Sequence, residues 1–287
     1  MKLCFILIAS VLLTGCNNLV PSLVKTINQH GDVHIGLGGG KQLTGAHVFI
    51  MAGQSNMVGT AMDTPFAPTD PRITMLGNDY VWKQASDPLD DPTGQIDLVS
   101  RDEPTYTGVG VGMTFANTML AQSPQMEVVL VPCAKAASVL WQWYPNPSRS
   151  SLYGSMIHRA LLAKEKGQLA GFLWWQGESD RDRTADQANQ YPQDLINFVR
   201  SVRADLNEPN LPVIIVQLHK TPPLDQAGFW DAIKTMQERA VQGLDNAALV
   251  KTDDLPVQTL TELHVTGEAY KEVGRRIAKA YIGLVLN

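Results

Sequence analysis

His47-Val48-Phe49-Ile50-Met51-Ala52-Gly53-Gln54-Ser55-Asn56-Met57 is an apolar run that feeds straight into a turn. A run of this length without polar alternation reads as a buried strand of the kind found in parallel sheets. Gly53 and Asn56 supply turn chemistry at its end. Several hydrolase folds present a nucleophile in this way, because a sharp turn after a buried strand lifts a small serine clear of the sheet. Ser55 is therefore the first candidate for chemistry, with helix capping as its plainer role.

Working outward, four more apolar, β-branched runs follow: Glu127 to Pro132, Ala170 to Trp175, Pro212 to Leu218 and Ala247 to Lys251. Helical patterns separate them. Ala188, Tyr191, Leu195, Phe198, Val199 and Val202 recur at three and four residues, which predicts an amphipathic helix from about Thr184 to Asp205. Val273, Ile277, Ala280, Tyr281 and Leu284 repeat the pattern at the C-terminus after an N-cap at Thr266. Shorter helices are expected over Met113 to Ala121, Leu152 to Lys166 and Trp230 to Gln242. This alternation predicts an α/β domain whose parallel sheet is covered on both faces. Thr60 to Tyr106 follows neither period, is rich in Pro and Asp, and reads as a long pocket-forming loop.

The chain of 287 residues, 44% hydrophobic and 18% charged, is long enough for one large domain. Its net charge of −5 and lack of a Lys/Arg cluster give no electrostatic footprint for nucleic acid. At the N-terminus, Lys2 precedes an apolar stretch from Leu3 to Leu13 that is too short to span a bilayer permanently. Leu13-Thr14-Gly15-Cys16 then resembles the lipobox of bacterial lipoproteins, in which cleavage precedes a cysteine that carries the lipid. The expected organisation is a signal peptide over 1–15, a lipidated Cys16 with a tether over 16–44, and a catalytic domain over 45–287. Asn17 after the cysteine favours the outer membrane by the same resemblance. Cys133 would then stand alone in the mature chain, where it reads as a small buried hydrophobe.

In a doubly wound sheet, ligands bind beyond the C-terminal ends of the strands. Ser55, Cys133, Gln176 and His219 all fall there. Of the six histidines, His30 and His34 lie in the tether, His47 opens a strand and His158 sits on a helix. His219 is at a strand end, and His264, in the loop Glu262-Leu263-His264-Val265-Thr266 before the last helix, is the strongest candidate base. Trp174-Trp175-Gln176-Gly177-Glu178-Ser179-Asp180 offers an amide donor for a developing oxyanion, a tight turn and a carboxylate. Gly108-Val109-Gly110-Val111-Gly112 presents backbone N–H groups at a helix start, where negative charge can be held.

Taken in order, "GQSNM", "GVGVG", "VPCA" with Trp143 behind it, "WWQGESD", "TDDLP" and "LHVTGEAY" resemble the SGNH hydrolase superfamily. Within it they are most similar to the sialate O-acetylesterase-like and family 6 carbohydrate esterase (acetyl xylan esterase) branch. The resemblance spans about Ala46 to Leu286. It implies a flavodoxin-like three-layer α/β/α fold with a five-stranded, mostly parallel sheet. It further implies Ser55 as nucleophile and His264 as base, and an oxyanion hole built from the Ser55 N–H, Gly110 or Gly112, and the Gln176 amide. SGNH enzymes usually carry an aspartate three residues before the histidine, where this chain has Thr261. Glu178 of the Q-G-E motif is the preferred acid instead, with Asp254 and Glu262 as alternatives. Ala136-Ala137-Ser138 also stands where the family often shows Gly-Gly-Thr. The implied activity is removal of O-acetyl groups from a carbohydrate, with no metal and no cofactor, by a protein held at the membrane through its lipid. Two other readings remain open: a non-catalytic glycan-binding lipoprotein on the same scaffold, and a lipase, thioesterase or acyltransferase with another acyl preference.

Overall fold

The computed structural model describes residues 23–27, 33–37, 43–223, 228–258 and 263–286. The predicted signal peptide, Cys16, Thr261 and Glu262 lie outside the described residues. The chain divides into two units, Met1–Lys41 and Gln42–Asn287. In the first, within the stretch read as a tether, β1 (Leu23–Ile27) pairs antiparallel with β2 (Val33–Leu37), and Leu23 lies opposite Leu37.

The second unit is built on a seven-stranded sheet in the order β5-β4-β6-β3-β7-β8-β9. Five of these strands are the predicted apolar runs: β3 (Gly45–Gly53), β6 (Met126–Pro132), β7 (Gln168–Trp175), β8 (Val213–Val216) and β9 (Ala247–Val250), all parallel to their neighbours. The five-strand expectation is corrected by β4 (Ile73–Leu76), parallel to β6, and β5 (Trp82–Gln84), antiparallel to β4. Both arise inside Thr60 to Tyr106. Runs of four and three residues are too short to display a period, and the Pro- and Asp-rich sequence around them masks their edges.

The helices follow the apolar stripes closely. After the single turn α1 (Ser55–Val58) come α2 (Gly112–Gln122), α3 (Leu152–Ala163), α4 (Ala185–Asp205), α5 (Trp230–Gln242) and α6 (Gly267–Leu286). Thr184 and Gln187 close a reciprocal capping box on α4, so the long helix starts where its cap dictates. β3 shows why three layers result, since its side chains alternate between two cores. Phe49 and Met51 join one, in which Phe49 meets Phe115 of α2 and Tyr281 of α6 edge-on. Val48, Ile50 and Ala52 join the other, with Trp174 against Phe198 of α4. With both faces covered, polar chemistry is confined to the ends of the strands.

Candidate active site

The site begins where β3 must stop. Gly53 has φ +142°, and a Cβ there would fall 2.0 Å from the Trp175 carbonyl oxygen of β7. Glycine alone lets the two strands end side by side. Gln54 donates its N–H to that same oxygen at 2.9 Å, and its own carbonyl accepts from Met57 (2.8 Å) and Val58 (3.0 Å). The chain is thereby bent at Ser55, which keeps 8% of its surface exposed. Gly177 ends β7 with the same φ of +142°, so two adjacent strands turn away together and leave a hollow at the sheet edge.

His264 meets Ser55 across this hollow. Its Nε2 lies 2.9 Å from the Ser55 Oγ. The loop carrying it is gripped on both sides by Asn56: the side-chain amide donates to Leu263 O at 2.9 Å, and Oδ1 accepts from Val265 N–H at 3.3 Å and from the Tyr270 hydroxyl at 2.8 Å. The same Asn56 amide donates to Glu178 Oε1 at 2.5 Å. The asparagine beside the serine thus fixes both the base and the carboxylate. The residue pattern assigned Asn56 to the turn; the long-range role could have been found only from its four partners.

Burial sets the electrostatics. Glu178 is enclosed, with Oε2 lacking a hydrogen-bond partner among the described residues. Desolvation, only partly offset by the bond from Asn56, pushes its carboxyl up to about 7. Desolvation also lowers His264 below the ordinary imidazole range, and the nearby His219 adds to the effect. A histidine of that kind is neutral at pH 7, as a base must be. His219 itself is buried, with Nε2 3.2 Å from Leu263 O and Nδ1 2.8 Å from Lys220 O, so it braces the His264 loop from beneath.

Ser55, His264 and Glu178 line one cavity of about 460 Å³, together with the loop after β6 and the segment near Arg101. Asp102 organises that loop: it accepts from the Ala136 N–H at 2.9 Å and pairs with Lys135 Nζ at 2.5 Å. Ala137 follows in a left-handed conformation, φ +58°, and lines the cavity. Nothing in the residue type announces this turn, because alanine rarely adopts a left-handed conformation.

Other sequence candidates lie elsewhere. Gln176 is fully buried outside the cavity lining. Its side-chain amide donates to Asp180 and, at 3.1 Å, to Ser138 O, while its backbone carbonyl accepts from the Gln237 side chain at 2.9 Å. In this arrangement it braces neighbouring loops. Gly110 and Gly112 are also outside the cavity. Gly110 faces the Asp87 carboxylate and packs on Gly59, and a Cβ on Gly112 would strike Leu89 at 2.3 Å, so these glycines serve close packing. Asp254 is on the surface, where its carboxylate grips Arg276 at 2.6 and 2.7 Å and is held down to about 2. Cys133 is buried, and desolvation pushes its thiol up to about 12, far from a thiolate. His47 is tied to Gln168 and to Gly45 O, and His158 lies beside the Tyr80 ring.

Residues 45–283 match the family model described as carbohydrate esterase, sialic acid-specific acetylesterase. A probable carbohydrate esterase of Arabidopsis thaliana is 29% identical over 253 residues, which cover 82% of this chain and 90% of that protein. The crystal structure of an Arabidopsis thaliana protein superposes with a TM-score of 0.69 at 29% identity, covering 84% of this chain and 99% of the other. A carbohydrate acetylesterase from Xanthomonas citri shares the fold at a TM-score of 0.61 and 21% identity, over 83% of this chain and 56% of its own.

Proposed function

The chain belongs to the carbohydrate esterase, sialic acid-specific acetylesterase family and is a carboxylic ester hydrolase; on that premise we propose that it removes O-acetyl groups from a carbohydrate through an acetyl-Ser55 intermediate. The observation that carries the reading is the 2.9 Å contact between Ser55 Oγ and a His264 Nε2 whose burial keeps it unprotonated. In the first half-reaction His264 takes the hydroxyl proton as Ser55 Oγ bonds to the acetyl carbon. The bond from that carbon to the sugar oxygen then breaks, and His264 Nε2–H protonates the departing oxygen. In the second half-reaction His264 takes a proton from water, whose oxygen attacks the acetyl group. Acetate leaves, and the proton returns to Ser55 Oγ.

Charge developing on the carbonyl oxygen needs donors already in position, each worth roughly 2.7–4 kcal/mol. The Ser55 N–H and the Ala137 N–H serve in this reading, supported by the position of both residues on the cavity wall. Glu178 acts as the acid that steadies the imidazolium, supported by its burial in the same cavity and its link through Asn56 to the His264 loop. Asp254, engaged by Arg276 at the surface, is not used. We also infer export and lipid attachment at Cys16, on the support of the Leu13-Thr14-Gly15-Cys16 motif alone.

The direct test is acetate release from acetylated sugars and from 4-nitrophenyl acetate by the purified protein. Turnover should fall by at least about a thousandfold in Ser55→Ala, the scale expected when a nucleophile is removed. A Ser55→Ala protein as active as its parent contradicts the proposal, and binding of acetylated sugars without any turnover would favour the glycan-binding reading.

A further inference from the structure

Two further cavities continue from the one over Ser55. The nearer, of about 540 Å³, shares Ser179 and Asp182 with it. The farther, of about 360 Å³, shares Trp141 and Tyr144 with the nearer. Together they make one track, running from Ser55 past the 179–182 turn to an aromatic ridge and over it.

The ridge places two exposed rings side by side on the cavity rim. Trp143, Trp174, Trp175 and Trp230 are fully buried, yet Trp141 is 60% exposed and Tyr144 41%. An exposed indole next to a second exposed ring, both lining a cavity, offers a ligand a broad apolar face. The exposure is also held in place. Trp141 belongs to the 3-10 turn Leu140–Trp143, whose first N–H donates to the buried Asp180 at 3.1 Å. Gln142 accepts from the Val139 N–H at 2.9 Å, and the Trp143 indole donates to Ser138 Oγ at 3.0 Å. The ring therefore projects from the same loop that lines the cavity over Ser55.

Polar groups face this aromatic wall. Gln187, Gln190 and Asp194 recur at three and four residues along α4, so one face of the helix lines the nearer cavity. Arg183 lines it too; its side chain is 10% exposed, and its Nη2 is buried without a hydrogen-bond partner among the described residues. A buried guanidinium N–H with no acceptor is costly, and a ligand oxygen would satisfy it. One stacking face opposite amide, carboxylate and guanidinium groups matches a pyranose, whose C–H face is apolar and whose edge is all hydroxyls. Asp182 and Asp194 each already stand beside an arginine, Arg181 at 3.6 Å and Arg183 at 3.8 Å, so the nearer cavity offers no surplus cation to an anionic unit.

We infer that the track binds an oligosaccharide, in which the acetylated sugar sits over Ser55 and a neighbouring uncharged pyranose stacks on Trp141 and hydrogen-bonds to Arg183, Gln190 and Asp194. The preferred substrate is then an acetylated glycan chain and not a free monosaccharide. This inference rests on the esterase reading of Ser55.

The test compares kcat/KM for 4-nitrophenyl acetate, acetylated methyl glycosides and partially acetylated tetrasaccharides of xylose, mannose and glucose. On at least one backbone, the tetrasaccharide should exceed the single ring about tenfold, carried by KM, as one stacked ring supplies. Trp141→Ala should remove that gain, measured as the ratio of tetrasaccharide to 4-nitrophenyl acetate turnover, and Trp141→Phe should restore most of it. No gain with chain length on any backbone overturns the inference, as does a gain that Trp141→Ala leaves intact. If the protein turns over nothing, the esterase reading fails separately. Calorimetric binding of the unacetylated tetrasaccharides, present in the parent and lost in Trp141→Ala, then decides the subsite, and no binding to the parent overturns it.

Discussion

At the scale of single residues, the proposed chemistry hangs on two groups that burial displaces in opposite directions. Glu178 is pushed up to about 7 and His264 is pushed down, so the form active at neutral pH pairs an ionised carboxylate with a neutral imidazole. kcat/KM should rise with pH through the higher of the two values, giving an acidic limb near 7. Glu178→Gln should lower the plateau by about tenfold to a hundredfold and move the limb below the ordinary imidazole range, where only His264 titrates. An unmoved limb in that variant would show that Glu178 does not titrate with activity. The stability sign runs the other way: a raised carboxyl pKa favours folding below the ordinary carboxylate range, and that advantage is lost as pH rises through about 7. Glu178→Gln should therefore unfold at higher temperature than its parent at pH 8. Ser55, His264 and Glu178 were legible because their residue types announce chemistry. Asn56 was not, because an amide beside a serine looks like turn chemistry until its bonds to Glu178, Leu263, Val265 and Tyr270 are seen.

At the scale of elements, strands built on an apolar run of four or more residues were readable, whereas β4 and β5 were lost in Pro- and Asp-rich sequence. The "GVGVG" turn shows that glycines can be read in two ways. Its glycines suggested an anion site, but Gly110 and Gly59 need each other's missing side chains to pass, since a Cβ on Gly59 would lie 2.5 Å from Gly110 Cα. Glycine signals close approach as readily as ligand approach, and sequence does not separate the two. The β3-to-α1 junction gives the sharpest prediction at this scale. Gly53→Ala forces a Cβ onto the Trp175 carbonyl at a φ of +142°, so denaturant titration should show a loss on the order of 3 kcal/mol. Unchanged stability would mean that the strand ends are looser than described.

At the scale of the whole molecule, the sheet with two separate cores leaves only its C-terminal edge for polar function, and the serine, its histidine and the aromatic ridge all collect there. The strand and helix alternation predicted that edge before any contact was known. The partners within it were less predictable, because Gln176 and Asp254 carry the right groups but spend them on Asp180 and Arg276. The proposed attachment to a membrane belongs to this scale as well. Palmitate labelling of the protein expressed in a bacterium should be lost in Cys16→Ser, and labelling that persists would remove Cys16 as the anchor. The central claim, that acetyl passes through Ser55, is tested most directly by quenching the protein in mid-turnover on an acetylated substrate and mapping the acetyl group by mass spectrometry. The account predicts acetyl on the peptide containing Ser55, accumulating when His264→Ala or Glu178→Gln slows hydrolysis; acetate release with no acetyl on that peptide, or with acetyl on another residue, would contradict it.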